Sequence, residues 1–163
     1  MKTHIKFILI LISFSSIVSA QNSTVTDTIK WSSFQIIIEL PLKNHSTIET
    51  YEEGFFQTIS CSDSTIITVH CGAMVNLPLI DTNKYITTSK FVLCGDVRIL
   101  RGYCVFLNNG IRRTKYFREE NYFKYGITIM YENADESKLS YYDSILNNTK
   151  VINITNPLMK YLK

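Results

Sequence analysis

Along most of the chain the apolar residues come in short runs of aromatic and β-branched side chains, the pattern of strands rather than of helices. "FQIIIELP" (Phe34–Pro41) reads as a strand closed by proline. "EGFFQTIS" and "TIITVHC" read as two strands turning at Asp63–Ser64. "MVNLPLI" is a shorter apolar piece broken by Pro78, and "SKFVLCG" fits a strand or the tail of a helix equally well. The clearest hairpin is "GYCVFL", "NNG", "IRRTKYF", because Asn109 and Gly110 both tolerate the positive φ of a type I′ turn. "FKYGITIMYE" (Phe123–Glu132) is a further strand, with Ile127, Ile129 and Tyr131 on one side.

The period changes in "NADESKLSYYDSILNNTK". Leu139, Tyr142, Ile145 and Leu146 fall on one face at helical spacing. Asn133 and Glu136 fit a capping box, and Asp135 adds negative charge in the first turn. The helix should end near Asn147–Asn148, and "KVINIT" can return as a short strand. Residues 21–33 are polar and hydroxyl-rich, which predicts a loose lead-in. Many strands followed by one late helix predict a single α+β domain over residues 34–163, a mostly antiparallel sheet with the amphipathic C-terminal helix packed on it. An all-β sandwich is the alternative if the helix lies outside the core.

The strand ending at Tyr131, the acidic link "ENADES", the helix "KLSYYDSILNN" and the following "KVI" resemble the end of PsbP-like secreted domains. The resemblance implies a noncatalytic binding domain and carries over no functional residue.

The first twenty residues bear on destination. "MKTH" and Lys6 form a positive start, "FILILISFSSIV" an apolar core too short to span a bilayer, and "VSA" before Gln21 a small-x-small cleavage pattern. This predicts a signal peptide over 1–20 and a secreted or periplasmic product. Its removal takes two of the seventeen cationic residues and none of the fourteen acids, leaving a mature charge of +1. Near-neutrality gives no global argument for nucleic acid or membrane as a partner.

Four cysteines, Cys61, Cys71, Cys94 and Cys104, fall in two pairs spaced by ten. Zinc sites bring ligands together as C-x₂₋₄-C and redox sites use C-x-x-C; neither spacing occurs. An even count in an exported chain predicts two disulfides. If Asp63–Ser64 is a two-residue turn, Cys61 and Cys71 point to opposite faces. A three-residue turn puts them on one face but still on the order of 20 Å apart along the ladder, beyond the reach of a disulfide. The expected bridges therefore join one of Cys61/Cys71 to one of Cys94/Cys104. Buried free thiols are the alternative.

Histidine is scarce in the mature chain, with only His45 and His70. A hydrolase reading would join His70 to Ser64 or Cys71, oriented by Asp63 or Asp81; the plainer reading is a partly exposed strand histidine. Glu52–Glu53 and Glu119–Glu120 are acidic doublets, but neighbours on a strand point to opposite faces, so neither makes a glycosidase pair and both read as solvated turn residues. The six glycines are scattered and form no phosphate-cradling loop, and no cofactor is implied. Arg98, Arg101, Arg112, Arg113, Lys115 and Arg118 are interleaved with Tyr103, Phe106, Tyr116 and Phe117. Such a surface could bind an acidic polymer, or the long basic stems could cover an apolar sheet edge. Glycosylation sequons stand at Asn22, Asn44, Asn147 and Asn153. These features favour a noncatalytic binding domain whose partner is a protein or an acidic polymer. The alternatives are a small hydrolase using His70 and an inhibitor or immunity-type protein that acts by occlusion.

Overall fold

β2 (Phe34–Pro41) alternates as its sequence predicts, with Phe34, Ile36, Ile38 and Leu40 buried and the residues between them turned outward. In the computed structural model, which describes residues 23–73, 78–88, 92–94 and 97–155, β2 is the middle of a three-stranded antiparallel sheet. Its neighbours are β1 (Thr24–Trp31) and β11 (Lys150–Asn153). The polar lead-in expected over residues 21–33 is thus corrected for its described part: β1 is an edge strand. Only Ile29 is buried there, so the strand carries almost no apolar signal.

The remaining strands form a larger sheet. β3 (Asn44–Tyr51), β4 (Gly54–Cys61), β5 (Ile66–Gly72), β6 (Ile86–Thr87), β8 (Val97–Asn108), β9 (Ile111–Tyr122) and β10 (Ile127–Ala134) lie in the order β3-β4-β5-β10-β9-β8-β6, and β7 (Val92–Cys94) also pairs with β8. α1 (Leu139–Asn148) packs against β2, β10 and β9. The fold is α+β, mostly antiparallel sheet with one C-terminal helix on it. One core joins the two sheets and the helix: Ile36 and Ile38 of β2 meet Ile59, Ile67, Val69, Ile127 and Ile129 of the large sheet and Tyr142, Ile145 and Leu146 of α1. Gln57 adds a polar tie between the sheets, its Nε2 donating to Asp27 of β1 at 3.0 Å. A second cluster covers part of the large sheet's other face, where Ile80 and Tyr85 pack on Leu100, Cys104, Phe117 and Met130.

Three local differences from the expected pattern have simple causes. The β4–β5 turn has three residues, not two: Cys61 N–H donates to Thr65 O, Ser64 N–H to Cys61 O, and Ser64 takes φ 70°. That is a type I turn closed by a left-handed residue. The strand expected from Phe123 starts only at Ile127, because Phe123–Tyr125 forms a 3₁₀ turn ending at the left-handed Gly126. The capping box is absent. Asn133 sits at φ 62° in a register irregularity between Tyr131 and Ala134, and a 3₁₀ turn over Glu136–Lys138 leads into α1 with no side-chain cap. The β8–β9 hairpin is as expected: Asn108 pairs with Ile111, and Asn109 and Gly110 take φ 50° and 75°. Of "MVNLPLI", residues 74–77 lie outside the described residues; of "SKFVLCG", Val92–Cys94 is strand.

Candidate functional site

His70 is the natural place to look for chemistry. On β5, Val69 and Cys71 face the main core, so His70 faces the opposite side, where its ring stacks on Phe56 at 4.3 Å between centroids. The Tyr51 hydroxyl and its Nε2 share a hydrogen bond of 2.6 Å. Tyr51 reaches it by crossing a strip of sheet without side chains: a Cβ at Gly72 would lie 1.9 Å from the phenol oxygen. His70 is fully buried, which corrects the expectation of a partly exposed strand histidine. Its suggested partners are committed elsewhere. Cys71 faces the other layer, both Asp63 carboxylate oxygens accept from Tyr142 Oη at 2.8 and 2.9 Å, and Asp81 Oδ1 caps its own turn through Asn83 N–H at 2.9 Å. Among the described residues no acid orients the imidazole, and His70 is not brought together with Ser64, Cys71, Asp63 or Asp81 as a hydrolase constellation.

Burial pushes the His70 pKa below its ordinary 6.5. Above that value the imidazole is neutral in both folded and unfolded chains. As pH falls below it the unfolded chain takes up a proton that the folded site resists, so stability is lost between 6.5 and the lower folded pKa. Urea melts from about pH 7.5 to about 5 should show this loss, and His70→Gln should flatten it; parallel slopes for both proteins would contradict the assignment.

The cysteines are not staples. Cys61, Cys71 and Cys104 are buried free thiols, so the expected bridges between the Cys61/Cys71 and Cys94/Cys104 regions are absent; the side chain of Cys94 lies outside the described residues. The reason is the layer arrangement. Cys61 and Cys71 point into the core between the sheets, whereas Cys104 belongs to the cluster on the opposite face. Along the ladder Cys71 pairs with Phe55, six residues from Cys61. Burial pushes the Cys71 thiol up to about 12 and raises Cys61 as well, against a hydrogen bond with Tyr142, so both are poor nucleophiles. Among the described residues no group of three or more His, Cys, Asp and Glu side chains gathers as a metal ligand set.

The six basic residues do not share one surface. In the β8–β9 register Arg101 pairs with Arg118 and lies on the face carrying Glu120, while Arg98, Arg113 and Lys115 lie on the other. Arg118 is 3% exposed. Its guanidinium donates to Asp143 Oδ1 at 3.1 Å, to Asn147 Oδ1 at 2.8 Å and to Glu120 Oε1. Arg101 donates to Asp143 Oδ2 at 3.0 Å, Tyr131 Oη to Asp143 Oδ1 at 2.9 Å, and Tyr122 Oη to Glu120 Oε2 at 3.1 Å. These two arginines and two acids hold the helix to the sheet. Burial works to raise the Asp143 pKa, but the hydrogen bonds from Arg118 and Tyr131 and the two guanidinium charges outweigh it and hold the carboxyl below its ordinary value.

Glu119 and Glu120 are also buried, which corrects their reading as solvated turn residues; they do point to opposite faces. Glu119 Oε2 accepts from Leu79 and Ile80 N–H at 2.9 and 3.1 Å and pins the segment that covers the second cluster. Burial raises its pKa, against those N–H groups and the charge of Arg98.

Among the accessible parts of the described residues is the distal end of the β8–β9 hairpin. Leu107 (74% exposed), Ile111 (57%) and Phe106 (39%) stand at its tip, Phe106 and Ile111 on one face and Leu107 on the other. Behind them Arg112, Arg113 and Thr114 share a groove with Asp135, Glu136 and Ser137. Arg112 and Arg113 are exposed, and Lys115 pairs with Asp135 at 3.0 Å. The sequence singled out the basic residues of this end; Leu107 and Ile111 give no signal of exposure, because strand alternation does not show where a hairpin outruns the layer that covers it.

No protein family, curated protein or solved structure matches this chain. Among the described residues no helix is long and apolar enough to cross a membrane.

Proposed function

We propose that this chain is an exported, noncatalytic binding domain that engages an acidic, partly apolar protein surface through the distal end of the β8–β9 hairpin. One observation carries the reading: the projecting hairpin tip exposes apolar side chains on both faces, Phe106 and Ile111 on one and Leu107 on the other, with an exposed arginine on each. Clustered exposed apolar residues mark interaction surfaces, and Arg and aromatic side chains are enriched at their centres. The apolar tip favours a protein over an acidic polymer, whose phosphates or carboxylates gain nothing from Leu107 or Ile111. Export rests on the N-terminal pattern alone, since the thiols supply no disulfide argument for an oxidising compartment. The resemblance of the C-terminal segment to PsbP-like domains points to the same noncatalytic role. Inhibition by occlusion would use this same surface.

A photoreactive side chain placed at position 107 should give a discrete cross-linked adduct in the native extracellular or periplasmic fraction. Arg112→Glu with Arg113→Glu should abolish it, and the same probe at exposed His45 on β3 should give none. Equal adducts at both positions, or none at 107, would sink the reading.

A further inference from the structure

A cleft of about 300 Å³ opens on the flank of the hairpin, between β8 and β9, the β4–β5 turn and the end of β10. Cys104, Val105 and Phe106 give it an apolar wall, and the two basic side chains Lys84 and Lys115 also line it. Its volume lies at the lower end of the range for small-molecule sites. Two further residues of its lining, Ser64 and Asn133, are both left-handed at φ 70° and 62°. Asn133 is held there by Tyr85, whose hydroxyl donates to Asn133 Oδ1 at 2.9 Å.

The charges of the cleft are weakly committed. Lys84 is half exposed, 3.8 Å from Glu132 and 4.9 Å above the Tyr85 ring. Lys115 is mostly covered, and its partner Asp135 is mostly in solvent. Exposed ion pairs contribute little, so an anion bound inside the cleft can compete with Asp135 for Lys115. An apolar wall with cations on it suits a ligand with a hydrocarbon body and one anionic head.

We propose that this cleft binds a small amphipathic carboxylate of the medium-chain fatty-acid class, its head toward Lys115 and Lys84 and its chain against Cys104, Val105 and Phe106. The assignment does not depend on the hairpin tip engaging a protein, because the cleft shares only Phe106 with the tip and neither lysine belongs there. Glu132 and Asp135 remain beside the lysines and select against a second negative charge on the ligand.

Calorimetric titration of the mature protein with decanoate, below its micellar concentration, should show saturable one-site binding and a ligand-dependent rise in melting temperature. Lys115→Met with Lys84→Met should weaken binding by about tenfold or more, and Phe106→Ala should weaken it independently. Acetate, which lacks the chain, and decyltrimethylammonium, which reverses the charge, should not bind measurably. These lysines are not core residues, so the unliganded melting temperature should be unchanged and would report any folding defect. No saturable decanoate binding, binding indifferent to the lysine and Phe106 variants, or equal binding of decyltrimethylammonium would each overturn the proposal.

Discussion

Arg118→Met will destabilise the protein by about 3–5 kcal/mol, the loss typical when one partner of a buried ion pair is removed. The size follows from what stays behind. Glu120 is fully buried, and Asp143 lies partly buried midway along α1; without the guanidinium both carboxylates lose their shared cationic partner, and the hydrogen bonds from Tyr122, Tyr131 and Arg101 do not replace it. Arg118→Lys should recover part of the loss at most, because one ammonium cannot reproduce the fork that reaches Asp143, Asn147 and Glu120 together. The effect should depend on pH. Asp143 has a folded pKa below its ordinary 3.8, so its contribution is present above that value and lost as pH falls through the folded pKa. Removing Arg118 takes away part of the depression, leaving the parts due to Tyr131 and Arg101, and the gap between variant and wild type in urea melts should narrow as the solution is acidified below pH 3.8. A gap under about 1 kcal/mol at neutral pH, the scale of an exposed pair, would show that the network is not buried in solution.

This network also shows where sequence reading reaches its limit. Arg118, Glu119 and Glu120 read as solvated charge because nothing in a linear pattern reveals that α1 returns to lie over β9. Long-range polar pairing leaves no periodicity. Strands with an apolar side on the main core were legible: β2 alternates throughout, and Ile67 and Val69 of β5 and Ile127, Ile129 and Tyr131 of β10 face the core as their spacing requires, although the opposite sides of β5 and β10 are also covered. β3 was not, since an edge strand exposed along nearly its whole length carries no hydrophobic period, and "NHSTIETY" supports no assignment. β1 failed for the same reason. The type I′ turn at Asn109–Gly110 could be read because backbone conformation there is dictated by the two residues themselves. Asn133 misled because an asparagine preferred at helix caps is also one of the few residues that tolerates the left-handed conformation, and here the second property decides. The cysteines misled differently: spacing and count were compatible with staples, but bridging depends on which layer each thiol faces.

Leu146→Ala should cost about 2–5 kcal/mol, the second large effect, and it tests whether the helix is held by its face rather than by its ends. Leu146 is fully buried in the core shared by α1, β2 and β10, beside Tyr142 and Ile145. α1 has only ten residues and no side-chain cap at its N-terminus. A helix of that length is marginal by itself, so its stability must come from tertiary packing. Asn133→Ala should cost only about 1 kcal/mol, chiefly the strain of an alanine at φ 62°, and Asn133→Gly should recover most of it if strain and not capping is the cause. Leu107→Ala at the exposed hairpin tip is the matching control and should fall within about 0.5 kcal/mol of wild type. The melts should show a lowered midpoint with an unchanged slope for Leu146→Ala. Equal small losses at positions 146 and 107 would mean that α1 does not dock on the sheet, and the Arg118 network, which needs Asp143 and Asn147 from the same helix, would fall with it.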